Sequence, residues 1–214
     1  MSVSRSSIQQ PLLSKRWMLF VDGENLAIRG QETAKVNSIE LAHEDFHEPD
    51  VFLWFPTDKD VWETLLLAHC PFQLKRMPER THYYTSIKGD DLKIKSLKNK
   101  VWRCHFDPHV FKKEKDGRSK QVDISLTTDL LSNAYRDRYD VAVVISGDGD
   151  FIPVLSEVRR LGKQVILMAL SSGRSPKLAW SSDYFKCLNE LFLRAWRASK
   201  GVKGKALRES PITT

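Results

Sequence analysis

Two carboxylates two residues apart, Asp148 and Asp150, stand in the glycine-flanked run Ser146-Gly147-Asp148-Gly149-Asp150. Acids this close repel each other, and chain folding does not require the pair. A hard divalent cation bound through oxygen removes the conflict. Two further acids fall at what read as element boundaries. Asp22 follows Met18-Leu19-Phe20-Val21, and Asp123 follows Lys120-Gln121-Val122. Brought together, Asp22, Asp123, Asp148 and Asp150 form an all-oxygen ligand set for magnesium or manganese. Beside a phosphodiester, such an ion activates a water and stabilises the leaving oxygen. Plainer roles exist for each acid, since turns use Asp beside Gly and helices use Asp as an N-cap.

Several neighbours bear on that pocket. Asn25 either contacts a scissile phosphate or positions Asp22, with local capping as the simpler alternative. Ser146 offers a hydroxyl to phosphate or water, or merely closes a turn. Asp129 lies six residues after Asp123, about 120° around a helix, beside the pocket or on its flank. Glu24 reads as a solvated first-turn acid that suits the helix dipole.

Strands and helices must place these groups. Residues 16–21 and 139–146 are apolar runs of the kind buried in parallel sheets. Residues 81–87 have the β-branched and aromatic content of a strand, and residues 164–170 another. A strand is expected over 101–110, with a turn at Pro108. Helices are expected from Glu24 to a stop at Gly30, over 90–100, 122–138 and 151–161, the last closed by Gly162. One or two more are expected within 176–193. The alternation implies an α/β fold with a mainly parallel sheet and helices on both faces. Ligands of such sheets sit at the carboxyl ends of the strands.

The chain has 214 residues, 41% of them hydrophobic, enough for one domain with a substantial core. Residues 1–14 read as a disordered leader, 15–197 as the domain and 198–214 as a basic flexible tail. Within the domain, residues 31–80 are an acidic elaboration that includes the apolar run at 51–55. A net charge of +7 and a pI near 9.3 favour a polyanionic partner. Lys112, Lys113, Lys115, Arg118 and Lys120 form a basic loop leading to Asp123, suited to phosphate contacts. Lys88, Lys93, Lys95, Lys98 and Lys100 form a second cluster, diluted by Asp90 and Asp91. Arg174 and Lys177 follow the last apolar strand and can face the same edge as Asp148. Tyr83, Tyr84 and Trp102 can stack on bases, with core packing as the alternative.

Three scattered cysteines, Cys70, Cys104 and Cys187, indicate free thiols in a reducing compartment. Together with the lack of any membrane-length apolar run, they place the protein in the cytoplasm. Cys104, His105 and His109 lie close in sequence, but no second pair has zinc-ligand spacing. His43 and His47 read as a solvated helical pair. Helix faces between residues 180 and 196 could serve a homo-oligomer or a protein partner.

Three blocks in fixed order carry a family resemblance: FVDGENL at residues 20–26, KQVDISLTTDLL at 120–131 and VISGDGDFIPVLSEVRRLGKQVIL at 144–167. Together they resemble the NYN domain family, a LabA-like (DUF88) branch of the PIN-like ribonuclease superfamily. The resemblance covers residues 16–190 and is dense only in these blocks. It implies a PIN-like three-layer α/β/α sandwich and cleavage of RNA dependent on magnesium or manganese, leaving a 5′-phosphate and a 3′-hydroxyl. Its acidic pocket maps to Asp22, Asp123, Asp148 and Asp150, supported by Asn25. RNA is the implied partner, with DNA not excluded. The alternative is a catalytically silent RNA-binding or regulatory module of the same fold. The chain departs from the family pattern in its longer segment over 31–80 and in having Gln121 after Lys120, where many members carry glycine.

Overall fold

The computed structural model describes residues 14–38, 74, 77–113, 120–190 and 192–193. Strand β1 (Trp17–Asp22) leads into helix α1 (Gly23–Val36). Strand β2 (Arg80–Ile87), helix α2 (Asp91–Arg103) and strand β3 (Asp107–Lys112) follow. Then come helix α3 (Lys120–Tyr135) and strand β4 (Val141–Ile145). A 3-10 turn (Gly149–Phe151) opens helix α4 (Ile152–Arg160). Strand β5 (Gln164–Ala169), a second 3-10 turn (Leu178–Ser181) and strand β6 (Tyr184–Cys187) complete the described order.

The six strands form one sheet in the order β3-β2-β1-β4-β5-β6, and every pairing is parallel. Strand order reverses between β1 and β4. That is the switch point, where a crevice opens at the carboxyl edge of such sheets. Side chains alternate between the two faces of a strand, so the central strands feed two cores. Trp17, Leu19 and Val21 of β1 pack with Val141, Val143 and Ile145 of β4, under Leu26 and Ala27 of α1 and Leu97 and Val101 of α2. Met18 and Phe20 pack with Ala142 and Val144, under Val122, Leu126 and Leu130 of α3 and Val154, Leu155 and Val158 of α4. The result is a three-layer α/β/α sandwich.

Three elements differ from the sequence reading. α1 does not stop at Gly30 but runs through it to Val36. Gly30 is buried on the same side as Leu26, Ala27, Thr33 and Ala34, and that helical stripe outweighs the propensity cost of about 1 kcal/mol. The strand expected from residue 101 begins at Asp107 instead. Leu97 and Val101, four apart, are both buried and extend α2 to Arg103, and His105 turns the chain at φ 63°. Pro108 lies inside β3 rather than in a turn. β3 is an edge strand, where a missing N–H is tolerated. Residues 184–187 form a strand instead of a helix. Asp183 fixes this edge by accepting from the Val165 N–H at 2.7 Å and pairing with Arg159 at 3.2 Å. Tyr184 and Phe185 then fall opposite Ile166 and Leu167.

The leader, the tail and most of the segment over 31–80, including residues 51–55, His43 and His47, lie outside the described residues.

Candidate active site

Alternation decides which way the first acid points. Met18 and Phe20 face α3, so Asp22, two residues on, continues that face at the carboxyl end of β1. Ser146, just beyond β4, follows Ala142 and Val144 on the same side. α3 begins here and carries Asp123 in its first turn. Asp22 and Ser146 therefore flank the switch point, with Asp123 on the helix above them.

A chain of hydrogen bonds fixes this edge. Asp22 caps α1, its Oδ1 accepting from the Asn25 N–H at 3.0 Å. Its Oδ2 accepts from the Ser146 hydroxyl at 2.8 Å. Ser146 Oγ in turn accepts from the Asp148 N–H at 3.1 Å, and Asp148 Oδ1 accepts from the Asp150 N–H at 2.9 Å. The Asn25 side-chain oxygen accepts from the Gly147 N–H at 2.9 Å. Asn25 and Ser146 thus lock α1 to the loop after β4. The Ser146 hydroxyl is buried and occupied on both sides, so it positions acids rather than presenting itself to a ligand.

The Tyr83 ring fills the space beside Gly23. A Cβ there would stand 2.1 Å from the Tyr83 ring. Tyr83 and Tyr84 are wholly buried, so they are core residues and not base-stacking platforms, whereas Trp102 is 68% exposed.

The charges are unbalanced. Burial pushes the Asp22 carboxyl up to about 7, its two hydrogen bonds oppose this, and Asp123 and Asp148 raise it further. Asp123 is also raised, by burial first and then by Asp148, Glu24 and Asp150. Five acids therefore act on one another at this edge. Asp22 is buried, Asp148 is partly exposed and Asp150 is exposed, a gradient from the interior to the solvent. One buried carboxylate, Asp22, beside the more exposed Asp123 and Asp148 offers oxygen donors that suit a hard divalent cation, which would reverse the upward shifts.

Glu24 is not the solvated acid expected from sequence. It accepts from the Ser86 hydroxyl at 2.6 Å and pairs with Lys113 at 2.8 Å. The Lys113 side chain is only 6% exposed, so this lysine neutralises an acid of the site instead of reaching for phosphate. The signal for Glu24 was its place two residues after Asp22. Its partners, on β2 and just beyond β3, were not readable from local pattern. Lys112 is exposed at the end of β3. Lys120 begins α3. Lys115 and Arg118 lie outside the described residues.

The loop after β5 forms another wall. Ser175 N–H donates to the Gly147 carbonyl at 3.2 Å, and a Cβ on Gly147 would stand 3.6 Å from Arg174 Cα. Arg174 stacks over Phe185 at 4.4 Å. The loop is held to α1 by Ser172, which donates to Glu32, while Glu32 pairs with Arg29 at 2.9 Å. Arg174 therefore lies beside the Asp148 turn.

Asp129 joins a different group. It accepts from the Tyr84 hydroxyl at 2.8 Å and stands 3.8 Å from His109 Nδ1. His82, His109 and Asp129 have ligand atoms that all lie within 4.8 Å of one another. The sheet-edge acids interact at longer range.

The match to the NYN domain covers residues 16–189. The chain belongs to the NYN domain family. The fold of this NYN protein is also that of a protein of unknown function from Vibrio parahaemolyticus, at a TM-score of 0.57 and 16% identity, covering 85% of this chain and 96% of that one. No curated protein matches the chain. NYN domains have a nuclease-type, PIN-like fold, in agreement with the parallel sandwich and its acidic edge. No described helix is long and apolar enough to cross a membrane.

Proposed function

We propose that this NYN protein is a divalent-metal-dependent endoribonuclease acting from the carboxyl edge between β1 and β4. The observation that supports the reading is the buried Asp22 at the end of β1, pushed up to about 7 by burial and further by Asp123 and Asp148. Asp22, Asp123 and Asp148 would hold magnesium or manganese, with Asp150 at the rim. Bound there, the ion supplies Lewis-acid stabilisation of the phosphodiester and a more acidic water.

The chain's own residues do the positioning. Asn25 and Ser146, themselves uncharged, hold Asp22 and the Asp148 turn in fixed relation through hydrogen bonds. Lys113 compensates Glu24 and limits the negative charge facing the substrate. Lys112 and Arg174, with Lys115, Arg118 and Lys120 of the basic segment, attract the RNA backbone and make affinity salt-dependent. The products are a 5′-phosphate and a 3′-hydroxyl, and the protein acts in the cytoplasm.

The test is cleavage of labelled single-stranded RNA with manganese, repeated with EDTA and with Asp148→Asn. The expected result is cleavage only by the unaltered protein with metal. Cleavage that persists in EDTA, or in Asp148→Asn, would overturn the reading. RNA binding without cleavage across several RNAs would make the protein a silent binding module.

A further inference from the structure

The His82 group lies away from the acidic edge, on the α3 face of the sheet near the amino ends of β2 and β3. Parallel register sets His82 opposite Asp107 and Tyr84 opposite His109. Asp129 comes from α3. His82 Nδ1 and His109 Nε2 are 3.2 Å apart. Asp107 Oδ2 stands 3.5 Å from His82 Nδ1 and 3.7 Å from His109 Nε2. Zinc bonds to nitrogen and oxygen are about 2.0–2.2 Å, so two ligand atoms on one tetrahedral ion lie roughly 3.3–3.5 Å apart. All three separations fall close to that spacing.

The surroundings hold the rings in place. His82 stacks on Phe20 at 5.4 Å between centroids, and His109 on Tyr84 at 4.4 Å. Asp129 faces the other nitrogen of His109 and is itself held by the Tyr84 hydroxyl. A carboxylate behind a ligating histidine is the usual way to fix its tautomer and ring direction. His82 turns Nδ1 toward His109 and Asp107, while its Nε2 is buried on the other side of the ring with no hydrogen-bond partner. Mixed nitrogen and oxygen donors suit zinc-class ions, not magnesium.

We propose that His82, His109 and Asp107 bind a zinc-class transition-metal ion, with Asp129 orienting His109. Such an ion ties β2 to β3, and Asp129 links the site through His109 to α3, the helix that also carries Asp123. The site is separate from the acidic edge and does not depend on the ribonuclease reading.

The test is calorimetric titration of the full chain with zinc ion, paired with melting curves. The expected result is near-stoichiometric binding and a rise in melting temperature on the order of 5 °C at hundredfold excess over Kd. His109→Ala abolishes the binding, and Asp129→Asn weakens it about 10- to 100-fold. Asp107→Asn, at the exposed rim, removes a ligand without disturbing the core, and keeps the test decisive if His109→Ala does not fold. The titration is run in saturating magnesium, so that the acids of the edge do not compete for zinc. No zinc binding, or binding unchanged in both His109→Ala and Asp107→Asn, would overturn the proposal.

Discussion

Two groups of titratable side chains share the α3 side of one sheet and are built in opposite ways. The edge group has only oxygen ligands, lies at the strand ends and contains acids that raise the pKa of Asp22 and Asp123. The inner group mixes two imidazoles with two carboxylates, lies within β2 and β3, and is packed between aromatic rings. α3 contributes to both, with Asp123 in its first turn and Asp129 further along. Strand ends leave groups near solvent and a substrate, whereas mid-strand side chains are fixed by packing. The first arrangement suits an exchangeable hard cation doing chemistry, and the second a tightly held ion doing structural work.

The sharpest way to break this division is to remove one acid at the edge. Asp148→Asn is expected to lower manganese-dependent RNA cleavage on the order of 10³-fold, because the metal's charge stabilisation is worth several kcal/mol. A mutant with near-normal cleavage would remove the edge from the chemistry.

Asn25→Ala should cost less, roughly 10- to 100-fold in cleavage, as is usual for a group that orients ligands. The effect should fall on turnover and metal affinity while RNA affinity holds. Loss of RNA binding alone would make Asn25 a substrate contact.

A stability experiment separates the two groups by pH. An aspartate titrates near 3.9 in an unfolded chain, and Asp22 is pushed up to about 7 in the fold. Its proton is held more tightly in the folded state. That stabilisation is complete below the unfolded value and is lost as pH rises through the folded one. Without divalent metal, the melting temperature should therefore fall between pH 5 and pH 8. The change amounts to a few kcal/mol at most, since one pKa unit is about 1.4 kcal/mol. Magnesium or manganese should raise the melting temperature more at pH 8 than at pH 5.5, and Asp22→Asn should flatten the slope. An unchanged slope in Asp22→Asn would assign it to other groups.

Gly23→Ala should destabilise the fold by about 1–3 kcal/mol, because Tyr83 occupies the space a Cβ needs. Chemical denaturation would measure this, and a neutral effect would show that the ring moves aside. The smallest effect is expected from Lys112→Ala, which should weaken RNA binding evenly across sequences and reduce the salt slope by about one. A change in sequence preference instead would make Lys112 a base contact.

Much of the edge was legible because its signals are local. Asp22, Asp123 and the Asp148 turn each follow a β-type run or open a helical one, and parallel sheets gather such boundaries at one edge. Glu24 was underestimated because its partners, Ser86 and Lys113, are distant in sequence. Ser146 read as a ligand contact, but its hydroxyl is spent between Asp22 and the Asp148 N–H. The zinc-like spacing was invisible for the same kind of reason. Asp107 and His109 are two residues apart, but His82 reaches them only through the register of β2 on β3.

The sequence by itself determined the α/β class, the family and the acids of the edge, because strand hydrophobicity, turn glycines and helix starts are properties of short segments. Only the tertiary structure decided the strand order, the burial that pushes Asp22 up, the capture of Lys113 by Glu24 and the meeting of His82 with His109. Those depend on which strands lie side by side and in what register, and that is fixed by packing across the whole sheet.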